Sequence, residues 1–225
     1  MMAKSSKPLV IFGAGQIAEL AWFYFTHDSD FTPVAFVVDR DFIRENELLG
    51  LPVVPFDELS QRFPPDQVSA FVALSYAKVN AVRAAKFDAV RAAGYQCVSY
   101  VSSRATVFPD LQIGSNCFIL EDNTIQPFSK IGDDVTLWSG NHIGHHSVVE
   151  NHCFISSHVV VSGGVRIGAG TFVGVNSTIR DHVTIGERCI IGAGSLIDRD
   201  AEAEGVYTAA AAERSRVPST RLRGI

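Results

Sequence analysis

Residues 143–179 decide the fold, and they read IGHHSVVENHCFISSHVVVSGGVRIGAGTFVGVNSTI. An isoleucine or valine returns at every sixth position of this stretch, and the register continues on both sides of it. The seventeen aliphatic stations of this register are Val101, Val107, Ile113, Ile119, Ile125, Ile131, Leu137, Ile143, Val149, Ile155, Val161, Ile167, Val173, Ile179, Ile185, Ile191 and Ile197. A period of six fits neither an α-helix nor an ordinary strand. It predicts a parallel β-solenoid in which each hexad is one short strand plus a turn, and three hexads close a triangular coil.

The uninterrupted repeat predicts about five stacked coils, with no loop extruded between Val101 and Ile197 and with every station pointing into the prism. Four residues after most stations stands a small or slim residue, which we expect beneath the station near a corner. Cys117, Cys153 and Cys189 occupy this position at intervals of 36 residues. They should stack two coils apart, at roughly 9–10 Å, which is beyond the reach of a disulfide. We therefore interpret them as core residues rather than as reactive thiols.

The first hundred residues show a different pattern, in which strand-like and helix-like segments alternate. Such alternation predicts a small α/β domain with a parallel, Rossmann-like sheet. The predicted strands are 7–12, 33–38, 68–74 and 96–101, and the predicted helices are 17–25 and 78–94. The sequence thus divides into an α/β domain at 1–100, a solenoid at 101–200 and a C-terminal cap or tail at 201–225.

Composition excludes several classes of function. The chain has 24 acidic against 19 basic residues and a formal net charge of -5, so it offers no basic field for a nucleic-acid backbone. No apolar stretch is long enough to span a bilayer, which predicts a cytoplasmic protein without membrane insertion. The four cysteines form no CxxC pair that would indicate zinc or redox chemistry.

A glycine turn, GAGQIA at 13–18, follows the first predicted strand and opens the first predicted helix. Asp39 follows the second strand, as in the dinucleotide-binding fingerprint. Glycines let the backbone approach a phosphate, and the amides at a helix N-terminus hold it. A domain of this size suits a diphosphate attached to one nucleoside, with Asp39 or Arg40 near the base or ribose. The alternative is a turn that only packs the helix.

Four of the seven histidines lie in NHIGHHSVVENH, residues 141–152. In the solenoid register His142 points outward, and the other three spread over adjacent faces instead of converging. Gly163 and Gly164 follow His145 and His146 by one coil of eighteen residues. Two residues without side chains above a histidine pair predict a cleft, so we interpret this pair as functional.

A zinc site is the alternative interpretation of the histidines. His146 and His182 share one face two coils apart, an arrangement similar to that of γ-type carbonic anhydrases. The further histidine of that family would fall on Glu187, and no other histidine replaces it. We therefore expect no bound metal.

A small α/β domain joined to an uninterrupted hexapeptide solenoid resembles the bacterial nucleotide-sugar acetyltransferases grouped with sialic acid O-acetyltransferase. The likeness covers nearly the whole chain, through VIFGAGQIAE, FVVD, SGNHIGHHSVVENHCFISSHVVVSGGVRIG and EGVYTAAAAERS. It implies a homotrimer of left-handed β-helices with active sites between subunits. It also implies that acetyl-CoA lies along the solenoid groove and that the N-terminal domain holds the nucleotide sugar.

The resemblance assigns His145 as the general base, and a backbone amide near Gly163 or Gly164 as the oxyanion donor. His146 stands where the family usually has an acidic residue. A second family histidine near the acyl group falls on Phe154, and His158 is the candidate to serve instead. The predicted site residues are, as catalytic, His145 and His146; as substrate-binding, Gly13, Gly15, Gln16, Asp39, Arg40 and Ser75; and as CoA-binding, His158, Gly163, Gly164, Gly174 and Arg214.

The implied reaction moves an acetyl group from acetyl-CoA to the amino group of a nucleotide-linked 4-amino sugar, as in the synthesis of bacillosamine or perosamine glycans. O-acetylation of a sugar hydroxyl is the alternative within the same class. A zinc-dependent hydratase and a nucleotide-sugar-binding module without CoA affinity are alternatives from other classes.

Overall fold

The computed structural model describes residues 7–221, so the first six and last four residues of the predicted domains lie outside the described part. Within it, the N-terminal domain is a five-stranded sheet of order β3-β4-β2-β1-β5, in which only the β3–β4 pair is antiparallel. Its elements are β1 Lys7–Phe12, α1 Gln16–His27, β2 Phe31–Val38, β3 Glu47–Leu48, β4 Leu51–Pro55, α2 Leu59–Arg62, β5 Ser69–Val72 and α3 Ala81–Ala92. Short 3-10 turns occupy Arg40–Phe42, Phe56–Glu58 and Ser219–Arg221.

Three local features differ from the sequence prediction. The helix predicted from residue 78 begins at Ala81, because Lys78, Val79 and Asn80 have φ of 52°, 52° and 65° and lie in the left-handed region. Strand β4 was not predicted, since its two prolines lower its strand propensity. The strand predicted at 96–101 is divided, because Cys97 makes a single bridge to the N-terminal sheet and Tyr100–Val101 begins the solenoid.

The second domain is a β-solenoid with three faces, each of which is a sheet of parallel strands. Face 1 contains Tyr100–Val101, Phe118–Ile119, Thr136–Leu137, Phe154–Ile155, Phe172–Val173, Ile190–Ile191 and Val206–Tyr207. Face 2 contains Thr124–Ile125, His142–Ile143, Val160–Val161, Thr178–Ile179 and Leu196–Ile197. Face 3 contains Gln112–Ile113, Lys130–Ile131, Val148–Val149, Arg166–Ile167 and Thr184–Ile185. Neighbouring strands pair at an interval of eighteen residues, as the hexapeptide period predicts.

The aliphatic stations from Ile119 to Ile197 are buried and form one continuous core. Of the first three stations, Val101 and Ile113 are partly buried and Val107 is 38% exposed. Val107 lies in the first coil, where its hexad forms only a single bridge to the next coil, from Thr106 to Thr124. At the other end the last coil is two residues shorter, since Val206 pairs with Ile190.

Most hexads turn on a residue with a left-handed backbone. The third residue after the station has positive φ in fourteen consecutive hexads of the described chain: Asn116, Asp122, Phe128, Asp134, Gly140, His146, His152, His158, Gly164, Gly170, Asn176, His182, Arg188 and Gly194. Glycine adopts this conformation without strain, and asparagine, aspartate and histidine are enriched there among the other residues. The repeated phase of the histidines therefore reflects a requirement of the turn.

The next residue is small or slim and buried in most hexads, as predicted. Where it is serine, threonine or cysteine, its hydroxyl or thiol donates a hydrogen bond to a carbonyl, for example from Ser147 to Ser162 and from Cys153 to Gly168 of the following coil. All four cysteines are buried and free. Burial raises the pKa of the Cys117 and Cys153 thiols to about 12, so neither supplies a thiolate near neutral pH. The interpretation of these cysteines as core residues is confirmed.

Face 1 carries aromatic side chains because the N-terminal domain packs on it. Phe118 contacts Tyr24 of α1 and Phe71 of β5, with ring centroids 5.8 and 5.3 Å apart. Tyr76, in the loop after β5, packs on Phe154 and Phe172 at 5.0 and 4.6 Å. Faces 2 and 3 are therefore the sides of the prism that this domain leaves uncovered.

A buried polar network joins the two domains at the corner between faces 3 and 1. The Asn116 side chain accepts a hydrogen bond from the backbone N–H of Val72 and donates one to its carbonyl, so it satisfies both backbone groups at the end of β5. Arg83 of α3 forms an ion pair with Asp134 at 3.1 Å, and both side chains are almost fully buried. The same guanidinium donates to the carbonyls of Asp134, His152 and Cys153. These contacts hold α3 in a single position against the solenoid.

Candidate active site

A cleft of about 620 Å³ opens at the carboxyl ends of β1 and β2. Gly13 and Gly15, both predicted from the glycine turn, line it together with Asp39. In an open parallel sheet, ligands bind at this end of the strands. Of the predicted substrate-binding residues, Gln16, Arg40 and Ser75 are exposed and do not line the cleft.

The two glycines of the turn have different physical roles. Gly13 has a φ of +130°, and a Cβ there would lie 2.6 Å from the carbonyl oxygen of Ala73, so the position requires glycine for close packing on β5. Gly15 caps the N-terminus of α1 without a side-chain hydrogen bond, and among the described residues nothing lies within 4 Å of a Cβ built on it. Open space in front of a helix N-terminus suits an anionic group.

The charged residues of the cleft differ in part from those predicted. Asp39 accepts a hydrogen bond from Lys86 of α3 at 2.7 Å, and both residues line the cleft. Arg40 is bound instead to Asp57 and Glu58 at 2.9 and 2.7 Å. Its guanidinium is therefore neutralised outside the cleft, and Lys86 is the cation next to Asp39.

His145 lies at the corner between faces 2 and 3, and its imidazole is exposed. Its backbone N–H donates to the side chain of Gln126 at 2.9 Å, which anchors the turn to the preceding coil. A Cβ on Gly163 would lie 2.7 Å from Cε1 and 2.8 Å from Nε2 of His145. The ring therefore rests directly on the Gly163 backbone, and only glycine leaves it this space.

His146 is the left-handed residue of the same turn, with a φ of 59°. Its Nδ1 lies 3.1 Å from Nδ1 of His145, and the two ring planes are 86° apart. The other side of the His146 ring packs on Phe128, at a centroid distance of 4.7 Å. The structure thus brings the two predicted catalytic histidines into direct contact.

The predicted open cleft above this pair is wrong. The His145 ring itself fills the space over Gly163, and the space over Gly164 is taken by His182, whose Nδ1 would lie 2.5 Å from a Cβ there. The Gly164 N–H donates to the carbonyl of His145 at 2.8 Å, so it is already used in the coil-to-coil ladder. The glycines thus provide room for imidazoles of the chain itself.

The remaining CoA-binding candidates lie apart from His145 in the chain. His158 is exposed at the corner between faces 1 and 2, where its ring packs over Gly140. Gly174 is buried, and a Cβ there would lie 2.6 Å from the backbone nitrogen of Ala193, so its smallness serves coil stacking. Arg214 is exposed in the irregular C-terminal segment. A single chain therefore does not gather the predicted CoA residues at one place.

Two other features lie outside these sites. A shallow groove of about 670 Å³ on face 3 is lined by residues such as Gly114, Gly132 and Ala169, and it contains none of the predicted site residues.

Within residues 7–221, no three histidine, cysteine or acidic side chains form a group that could hold a metal ion. His146 and His182 do share a corner two coils apart, with Gly164 between them. No helix in the described part is long and apolar enough to cross a membrane.

Sequence reasoning missed Lys86 and Arg83, which connect α3 to the cleft and to the solenoid. Lys86 follows Arg83 by three residues, so both lie on one side of α3. The helix itself was predicted. The only sequence signal for its docking surface was an arginine, Arg83, beside apolar positions. The partner residues are too distant in sequence to be found from spacing.

The comparison with known protein families gives a match to the six-residue repeat of the solenoid. The model of the bacterial transferase hexapeptide (six repeats) family matches residues 128–163 and 164–199. The match covers 72 of the 225 residues, all of them in the solenoid. The two matched segments contain His145, His146 and the glycines that contact them. No curated protein was found to match the chain.

Solved structures resemble this chain over both domains. A mutant of perosamine N-acetyltransferase from Caulobacter crescentus, in complex with CoA and GDP-perosamine, has 26% identity and a TM-score of 0.80, over 88% of this chain and 92% of that chain. The acetyltransferase domain of PglB from Neisseria gonorrhoeae, in complex with acetyl coenzyme A, has 23% identity and a TM-score of 0.74, over 88% and 93%. WeeI from Acinetobacter baumannii has 17% identity and a TM-score of 0.75, over 89% and 96%.

At their lower identities, the PglB domain and WeeI support the fold alone. With the family match, they confirm the predicted fold class, a small α/β domain followed by a left-handed parallel β-helix. The recognition of the chain as a relative of bacterial sugar acetyltransferases with hexapeptide repeats is confirmed as well.

Proposed function

We propose that the chain is an acetyl-CoA-dependent N-acetyltransferase that acts on the amino group of a nucleotide-linked amino sugar. The observation that carries the proposal is the likeness over both domains to perosamine N-acetyltransferase, whose structure holds CoA and GDP-perosamine. The cleft beside Gly15 and the exposed His145 on the solenoid provide the two sites that such a reaction needs. In this proposal residues 1–100 bind the nucleotide sugar, residues 101–200 carry out the transfer, and residues 201–225 lie near CoA.

The nucleotide sugar binds in the cleft between the two glycines and Asp39. Its diphosphate lies before the N-terminus of α1, where the backbone amides favour an anion. The Lys86 ammonium, which Asp39 already holds at 2.7 Å, adds positive charge on the side of α3. We assign Asp39, which lines the cleft, to accept hydrogen bonds from the ribose or the base. We expect less from Arg40, because Asp57 and Glu58 compete for its guanidinium.

The chemistry is acyl transfer assisted by a general base. The sugar amine attacks the thioester carbonyl and forms the new C–N bond, while Nε2 of His145 accepts the proton that the nitrogen loses. The tetrahedral intermediate collapses, the C–S bond breaks, and the CoA thiolate leaves with the proton returned by His145. The Gly163 amide is the donor we assign to the oxyanion, since the Gly164 amide is bonded to His145. CoA supplies the acetyl group, and we expect no metal.

We further propose that the working form is a homotrimer with its active sites between subunits. His145 and His158 lie at different corners of one prism, so a second subunit is needed to bring both to one thioester. The outward column of face 2 supports this arrangement, because Val160 is 41% and Leu196 68% exposed on a face that the N-terminal domain leaves uncovered. With nucleotide sugars and acetyl-CoA as substrates, we expect the reaction to take place in the cytoplasm.

The proposed function predicts release of CoA thiol when the protein meets acetyl-CoA and a nucleotide-linked 4-amino sugar. The assay uses GDP-, UDP- and dTDP-linked amino sugars, and mass spectrometry identifies an acetylated product. Acetylation that mild alkali removes would indicate a hydroxyl acceptor instead. No turnover with any amine would refute N-acetylation, and binding of a nucleotide sugar without CoA affinity would indicate a binding module.

Substitution of Gly163 by alanine should lower kcat roughly 10- to 100-fold, because a Cβ there displaces the His145 ring from the position it occupies. The fold should survive, since Ala169 and Ala193 occupy the same hexad position at other corners. The control is Glu187→Ala, a change at that hexad position far from the histidines. Unchanged kcat in Gly163→Ala, with melting curves like those of the wild type, would show that the His145 ring does not need this position.

A further inference from the structure

The Nδ1 atoms of His145 and His146 face each other at 3.1 Å. This distance is that of a hydrogen bond, and it can hold only one proton between the two nitrogens. One ring must therefore donate and the other must accept. If both rings carried a proton on Nδ1, the two N–H groups would repel each other.

Only one of the two neutral arrangements makes His145 a base. When His145 carries its proton on Nδ1 and donates it to His146, its Nε2 has a free lone pair. In the opposite arrangement His146 donates, and His145 then carries its proton on Nε2, where it cannot accept another. The neighbour at Nδ1 thus decides whether Nε2 is able to react.

The structure fixes the His146 ring where it can fill this role. Its backbone is held in the left-handed turn, with φ of 59°, and its ring packs on Phe128 at 4.7 Å. The His145 ring is restrained from the other side by Gly163. Both rings of the pair are therefore oriented by contacts that do not depend on the substrate.

We propose that His146 is the positioning residue of the site, holding His145 in the tautomer whose Nε2 accepts the proton of the sugar amine. The inference rests on the proposed acetyl transfer and names the group that orients its base. When Nε2 takes the proton, the Nδ1–H of the His145 imidazolium keeps its bond to the neutral His146. The proton on the substrate nitrogen moves to Nε2, and the hydrogen bond between the two histidine rings does not have to change.

The partner at Nδ1 of His145 is an imidazole, where a carboxylate would carry a negative charge. The titratable groups that neighbour the pair in the coil register are Asp181 and His182, one coil after Gly163 and Gly164, His142 in the same hexad, and Lys130 and Arg166, which pair with Val148. His146 adds no negative charge beside the imidazolium, unlike a carboxylate at this position. A carboxylate would stabilise the protonated form of His145 and keep it inactive up to a higher pH.

Three variants at His146 test the inference, because the left-handed turn accepts Asn and Asp at other hexads. His146→Ala removes the acceptor and should lower kcat roughly 10- to 100-fold, part of what a general base contributes. His146→Asn restores an oxygen acceptor and should recover kcat to within about threefold of the wild type. His146→Asp should also recover kcat, and it should move the acid limb of kcat/KM about one pH unit toward higher pH.

The control is Asp122→Asn, an exchange at an exposed left-handed residue of another corner, which should leave kcat and the pH profile unchanged. Equal kcat in wild type and His146→Ala would overturn the inference. So would a loss of kcat that neither Asn nor Asp restores, since the ring would then matter only through its packing on Phe128. Absence of turnover in the wild-type protein would refute the proposed function instead, so the two failures are distinguishable.

Discussion

Replacement of His145 by alanine should lower kcat by about 10²- to 10⁴-fold, the range that a positioned general base contributes. The physical reason is that the attacking amine nitrogen becomes positively charged as the C–N bond forms and must lose a proton, and the exposed imidazole is the base we assign. The loss should appear in kcat and in kcat/KM alike, because the interaction exists only in the transition state. Thiol release under saturating acetyl-CoA and nucleotide sugar measures both.

The matched control is His27→Ala, an exposed histidine in the last turn of α1 that contacts Trp22 and Phe23. Its kcat should equal that of the wild type. Added imidazole should restore part of the activity of His145→Ala, since the imidazole ring it replaces is exposed. If His145→Ala kept wild-type kcat, the base would have to be another residue, and the proposed mechanism would be wrong.

Arg83→Leu should lower the free energy of unfolding by about 3–5 kcal/mol, as is typical when one partner of a buried ion pair is removed. The substitution leaves the Asp134 carboxylate buried, facing Asn116 and His152 without its guanidinium. It also removes the donor of three backbone carbonyls. Denaturant unfolding followed by circular dichroism measures the loss, and early unfolding of the α/β domain would appear as a separate transition.

Two further variants isolate the buried charge. Arg91→Leu, on the same helix, removes an exposed arginine 3.8 Å from Asp133 and should cost less than about 1 kcal/mol. The double variant Arg83→Leu, Asp134→Asn should be more stable than Arg83→Leu alone, because asparagine keeps the left-handed turn and carries no charge. If Arg83→Leu cost no more than Arg91→Leu, the ion pair would not anchor the domain.

The solenoid was predictable because one residue in six must be aliphatic to fill the prism. The buried stations from Ile119 to Ile197 follow that rule, and Val107 departs from it only where coil stacking begins. Each strand pairs with the strand eighteen residues away, so the period alone identifies its partner. The elements of the α/β domain were harder to predict. Strand β4 contains prolines, and α3 starts after three left-handed residues, Lys78, Val79 and Asn80, whose conformation the sequence does not indicate.

The site was only partly predictable. The spacing of eighteen correctly placed Gly163 beside His145, yet it could not show that the imidazole itself occupies the gap. Asp39 was found from its place after β2, whereas its partner Lys86 is 47 residues away and was missed. Ring orientation and pairing depend on side-chain torsions, which the sequence pattern does not specify. The contact between the Nδ1 atoms of His145 and His146 therefore could not be predicted from the sequence.

The left-handed position of the hexads has a consequence for how this scaffold can change. Its backbone selects glycine, asparagine, aspartate or histidine at most turns, whether or not any of them takes part in a reaction. Polar and ionisable groups therefore stand at the corners at a lower conformational cost than other side chains would have there. A functional histidine can arise, vanish or shift by one coil while the core stays the same. New specificities are then reached by single exchanges at corners, without passing through unstable intermediates.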